Sequence, residues 1–226
     1  LKDYDNVISV AKEYLSEYSS NESIPEVLSL TAKANSLIGM DTDADYFFDR
    51  LFSEHEDSVY AEWGYVYKGE SLQAAGSSKE AIHFYEKAFN STEDLSVAAT
   101  AAYNLAKVKM NYSNKEAAKY IKKIVDAKPD FLINDLKTSL EMMSAFLETE
   151  DYATAASMAK AIYAALTPQN DDYEGLVKDA ALWLAKTDNK AEALVALNKY
   201  VKEFPDGAFI SEIQTEKDAL FFDTQE

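Results

Sequence analysis

One column of residues recurs along this chain at almost constant spacing. Val7, Ala44, Ala81, Ala117, Ala155 and Ala193 are separated by 37, 37, 36, 38 and 38 positions. Four residues later the chain reads Ala11, Phe48, Tyr85, Ile121, Ala159 and Leu197, and three or four beyond that Tyr14, Leu51, Ala88, Ile124, Ile162 and Tyr200. Apolar residues at these offsets share one face of an α-helix, so each unit contains an amphipathic helix that starts on a small or branched residue and continues with apolar ones. A second periodic segment lies upstream of the columns, as in Leu28, Ala32, Leu37, then Tyr65, Gly69, Leu72, then Tyr103, Ala106, Met110. Each unit is therefore a helix hairpin. A lone hairpin cannot bury its apolar face, whereas stacked neighbours can, so the period predicts an all-α repeat array.

The punctuation agrees with the period. Gly39 and Gly76 sit at equivalent turns, and Pro129, Pro168 and Pro205 fall 12 or 13 residues after a column alanine, where the second helix should stop. The chain then divides into a second helix without its first (1–20), hairpins over 24–57, 58–94, 95–130, 131–168 and 173–205, and a closing helix over 206–222 that caps the last hairpin. The expectation is one superhelical domain, 1–226, that forms a piece of a longer array.

The stretch "YVYKGESLQAAGSSKEAIHFYEKAF" (65–89) places Tyr65, Gly69, Leu72, Gly76, Ala81, Tyr85 and Ala88 in an aromatic, small, large, turn-glycine, small, aromatic, small order. In this it resembles the tetratricopeptide repeat family. Three departures stand out: Met143 replaces the small residue at a helix crossing, Glu150 replaces a turn glycine, and the third unit is one residue short between Ala106 and Ala117. The resemblance implies a right-handed α-solenoid acting as a non-enzymatic scaffold for other proteins, without a cofactor. It also implies a concave groove lined by first helices, whose floor would include Trp63, Val66, Glu70, Gln73, Tyr103, Lys107, Asn111, Lys137 and Glu148, with Tyr67 beside them. A clamp for a peptide carboxylate does not fit, because Val66 and Glu70 stand where cationic or amide donors would be needed. The phrases "FSEHEDSVYAEWG" and "VKEFPDGAFISE" resemble extracytoplasmic bacterial members of the family. Together with the closing "YVKEFPDGAF…DALFF" they are similar to the paralysed-flagella scaffold family of flagellar motors, which implies a periplasmic role in stator or disk assembly. A cell-envelope or outer-membrane assembly adaptor, or a helical accessory domain of a larger enzyme, are the alternatives.

Composition narrows the partners. The 40 acidic residues exceed the 22 basic ones, giving a formal charge of −18, and Arg50 is the only arginine. Such a surface repels a phosphate backbone, so nucleic acid is excluded and partners with lysine-rich or neutral faces are favoured. No apolar run reaches the 18 residues of a membrane span. Without cysteine there is no disulfide, thiolate metal site or thiol nucleophile. His55 and His83 are the only imidazoles, and the His83–Glu86 pair lacks the further ligands a metal needs. Asp41, Asp43, Asp45 and Asp49 have the spacing of a calcium loop, but Tyr46 stands where the loop needs glycine and Phe52 where it needs a bidentate glutamate. No metal site is expected; Asp41 and Asp43 read instead as caps of a helix N-terminus. Tyr60, Trp63 and Tyr67 fall on one helical stripe, where they serve either as binding anchors or as packing against the preceding hairpin.

Overall fold

The computed structural model describes residues 3–223. Among them are twelve α-helices: α1 (Tyr4–Glu17), α2 (Ile24–Leu37), α3 (Asp41–Glu54), α4 (Val59–Ala74), α5 (Ser78–Ser91), α6 (Leu95–Met110), α7 (Asn114–Ala127), α8 (Leu136–Glu148), α9 (Tyr152–Ala165), α10 (Tyr173–Ala185), α11 (Lys190–Glu203) and α12 (Ile210–Asp223). A 3-10 turn over Pro129–Asp135 leads into α8. No strand is present among the described residues. Local chemistry sets the helix starts: the side chains of Asp3, Ser58, Ser113, Asp135, Asp151 and Asn189 each accept a hydrogen bond from the backbone N–H three residues on. Each satisfies one of the donors that a helix N-terminus leaves free.

The chain forms two compact units, Leu1–Val108 and Lys109–Glu226, so the continuous period of the sequence is divided near the C-terminal end of α6. In the first, α2 packs on α3 and α4 on α5, with α1 against α2. In the second, α8 packs on α9, α10 on α11, and α12 covers α10 and α11. The repeat columns form the cores. Ala44, Ala81, Ala117, Ala155 and Ala193 are fully buried, as are Phe48, Tyr85, Ile121, Ala159 and Leu197. Small first-helix residues permit this closeness: a Cβ on Gly69 would lie 2.5 Å from the Tyr85 ring, and one on Gly64 2.6 Å from Leu51.

Three turns share one geometry. After α2, Gly39 N–H donates to Ser36 O and Met40 N–H to Asn35 O; after α4, Gly76 N–H donates to Gln73 O and Ser77 N–H to Leu72 O. After α8, Glu150 N–H donates to Leu147 O and Asp151 N–H to Phe146 O. This paired closure needs a left-handed residue, and Gly39, Gly76 and Glu150 have φ of 76°, 83° and 58°. Glu150 adopts the turn of the glycine it replaces.

The aspartate stretch differs from the capping expectation. The cap position of α3 is held by Met40, with no side-chain hydrogen bond, while Asp41 and Asp43 lie in the first turn. There they oppose the helix dipole, but two carboxylates of this stretch also reach across helices: Asp43 accepts from Lys12 of α1 at 3.0 Å, and Asp45 pairs with Lys68 of α4. Phe52 is not idle either. Its ring stacks on Tyr65 at 4.2 Å and lies 5.9 Å from Phe48, joining α3 to α4. Among the described residues no three His, Cys, Asp or Glu side chains are grouped so as to hold a metal ion.

Candidate functional site: a groove between α2 and α4

Helix α4 is clamped by its glycines against Leu51 of α3 and Tyr85 of α5. Its other side faces α2 across a groove of about 300 Å³, whose lining includes Lys33, Ser36, Tyr67, Glu70 and Ser71, with Leu37, Ala74 and Ala75 as apolar wall. Tyr67 is half-buried and packs against two core clusters of the first unit. Its ring is held on two sides, by Trp63 stacked at 5.7 Å and by the Lys33 ammonium 3.8 Å from the centroid. Burial, and secondarily the Glu70 charge, raises the Tyr67 phenol above its ordinary pKa, so the hydroxyl stays a neutral donor at physiological pH. Glu70 is exposed, with Asn104 of α6 at 3.5 Å. The groove thus presents an aromatic face, a cation and carboxylates within one apolar-walled cleft, a set suited to gripping a polypeptide.

The structure places the expected groove residues in different settings. Tyr67 and Glu70 line the groove, whereas Trp63 supports Tyr67 from behind and packs against the cluster containing Val97 and Ala101 of α6. Val66 and Tyr103 are corrections: both are buried, because α4 and α6 are covered on more than one side and these positions turn inward. Gln73 is engaged within the fold, its Oε1 accepting from the Tyr85 hydroxyl at 2.8 Å. Lys107 is half-buried with its ammonium 5.9 Å from the Tyr103 ring. Asn111, Lys137 and Glu148 belong to the second unit and are exposed, Lys137 facing Glu141 at 3.8 Å. Lys33, Ser36 and Ser71 were not singled out from the sequence, and Asp41, which also lines the groove, was read there only as a helix cap. The signal was present, since Lys33 precedes Glu70 by 37 residues and Ser36 precedes Gln73 by the same step.

No described protein family matches the sequence, and no curated protein matches it. Among solved structures, BtubC (BKLC) from P. vanneervenii superposes with a TM-score of 0.54 at 15% identity, over 89% of this chain and 91% of that one. PilF from Pseudomonas aeruginosa superposes with a TM-score of 0.51 at 15% identity, over 95% and 97%. Both are helical-repeat proteins of the tetratricopeptide type, and the fold of this chain is of that type.

Proposed function

We propose that this chain is a non-enzymatic scaffold that holds a partner protein in the groove between α2 and α4. The observation that carries this reading is the Tyr67 ring fixed between Trp63 and Lys33 beside exposed Glu70, on a fold of the tetratricopeptide type. An aromatic held rigid before binding loses little entropy on contact, so it makes an effective anchor. The acidic surface favours partners with lysine-rich or neutral faces. A photo-crosslinking residue at Ser71 would capture the partner, and binding would then be compared for Tyr67→Ala and Glu70→Lys at two salt concentrations. Tyr67→Ala should cost about 2 kcal/mol or more, as central anchors do, while Glu70→Lys should alter mainly the association rate and its salt dependence. Unchanged binding in both variants would move the contact surface elsewhere.

The finer proposal sets this scaffold in the periplasm, among proteins that build flagellar motors. Its support is the phrasing of the turns around 52–64 and 201–212, together with the repeat length. Fractionation of cells and the swimming behaviour of a deletion strain test it; a cytoplasmic protein whose loss leaves motility intact would overturn it. The groove proposal does not depend on that outcome.

A further inference from the structure

The charges on successive first helices of the first unit alternate in sign. Lys33 of α2, Glu70 of α4 and Lys107 of α6 stand 37 positions apart. Each directly follows a small buried residue of its own helix, Ala32, Gly69 or Ala106, so the three hold one place in three consecutive hairpins. Their helices are neighbours: α2 packs on α4, and Asn104 of α6 lies 3.5 Å from Glu70. Among the described residues none of the three is in an ion pair. Nearby Lys12 and Lys68, by contrast, are paired with Asp43 and Asp45. The Lys33 and Lys107 ammonium groups rest instead on aromatic rings, 3.8 Å from the Tyr67 centroid and 5.9 Å from that of Tyr103. A ring attracts a cation without neutralising it. The first helices therefore present plus, minus, plus to a ligand laid across them.

The step between these charges selects the shape of that ligand. Packed helices stand about 8–10 Å apart. A polyproline-II segment completes a turn every three residues and rises about 3.1 Å per residue, so every third side chain projects from one side, about 9 Å after the last. One turn of an α-helix advances about 5.4 Å and one strand repeat about 6.7 Å, both short of the step. Tyr67 and Trp63 add the aromatic wall against which proline-rich segments dock.

We infer that the groove takes an extended, proline-rich segment of a partner protein carrying an acid, a lysine and an acid at every third position. This inference rests on the groove as the contact surface. The two acids meet Lys33 and Lys107, and the lysine between them meets Glu70. Because the order of charges is symmetric, the segment can run in either direction.

The test titrates the whole chain with two end-blocked peptides, PEPPKPPEP and PKPPEPPKP, followed by NMR at the backbone amides of Ser36 and Ser71, which line the groove. The peptides share their prolines and differ in the order of their charges. The net charge of −18 draws the second, with its two lysines, whereas the alternating charges select the first. Saturable shifts at both amides are expected, with PEPPKPPEP binding at least fivefold more tightly at physiological salt. Glu70→Lys, at an exposed position, should keep the parent's melting temperature and transfer the preference to PEPPEPPEP. Equal affinity for the first two peptides at these amides, or a preference for PKPPEPPKP, overturns the inference while leaving the groove as the contact surface. Shifts from neither peptide overturn it as well, and the groove is then judged by its crosslinked partner alone. Concentration-dependent self-association that Glu70→Lys abolishes would give these charges to a second copy instead.

Discussion

Glu150 shows how a single residue can carry a backbone shape that its chemistry disfavours. A side chain at φ of 58° crowds the following carbonyl, a cost of about 1 kcal/mol that glycine escapes. Glu150→Gly should therefore raise stability by about 0.5–1 kcal/mol in denaturant unfolding, the gain trimmed by glycine's greater freedom in the unfolded chain. The same replacement at a residue inside α8 would do the reverse. Tyr200 makes a pH-dependent contribution. Fully buried, it donates to Glu174 at 2.5 Å and accepts from the Phe209 backbone N–H at 3.0 Å, tying α11 to α10 and to the entry of α12. Burial, then the bond to Glu174, pushes its phenol up to about 12. The unfolded chain gives up this proton near pH 10 and the folded one does not. The contribution is whole below pH 10 and lost as pH rises through 12. Melting curves of the parent and Tyr200→Phe should converge over that window; a constant separation would refute the assignment. Much of this scale was legible: Gly39 and Gly76 mark left-handed turns because little else fits there, and Glu150 is conspicuous in the same register. The partners of Asp43 and Asp45 were not legible. Lys12 and Lys68 lie 31 and 23 positions away, and a carboxylate near a helix start reads the same whether it caps or bridges.

The helices themselves were legible because two periodicities coincide, one of 3.6 residues within each helix and one of about 37 residues between hairpins. Pro129 signalled the end of α7 but not the 3-10 turn that follows, where Leu132 is buried and its carbonyl accepts from the Ser139 hydroxyl at 2.7 Å. A proline fixes its own φ and says little about the next five residues. The candidate groove was half legible. Tyr67 and Glu70 follow from the outward face of α4, but Val66 and Tyr103 required knowing how many neighbours each first helix has. Hairpin closure rests on the column alanines. Ala81 is fully buried where α5 meets α4, so Ala81→Phe should force the pair apart and cost about 1–3 kcal/mol. A variant that unfolds at the parent's denaturant midpoint would show that the register of this hairpin is misplaced.

At the scale of the molecule, helix contacts within each unit run between chain neighbours or next-neighbours. Stability in such an array is a sum of local terms, so damage should remain local. Hydrogen exchange of Ala81→Phe should speed at amides within Leu1–Val108 while amides of α10 and α11 keep the parent's protection. Uniform acceleration across both units would instead mean one cooperative fold. This locality has a consequence for how the protein comes into being. Contacts that close over about 20 residues need only short loops, which favours fast folding and lets a hairpin form soon after its second helix leaves the ribosome. Each newly finished hairpin then serves as the template for the next, and α12, laid over α10 and α11 through Ile213 and Leu220, can leave water only after both of those helices have formed.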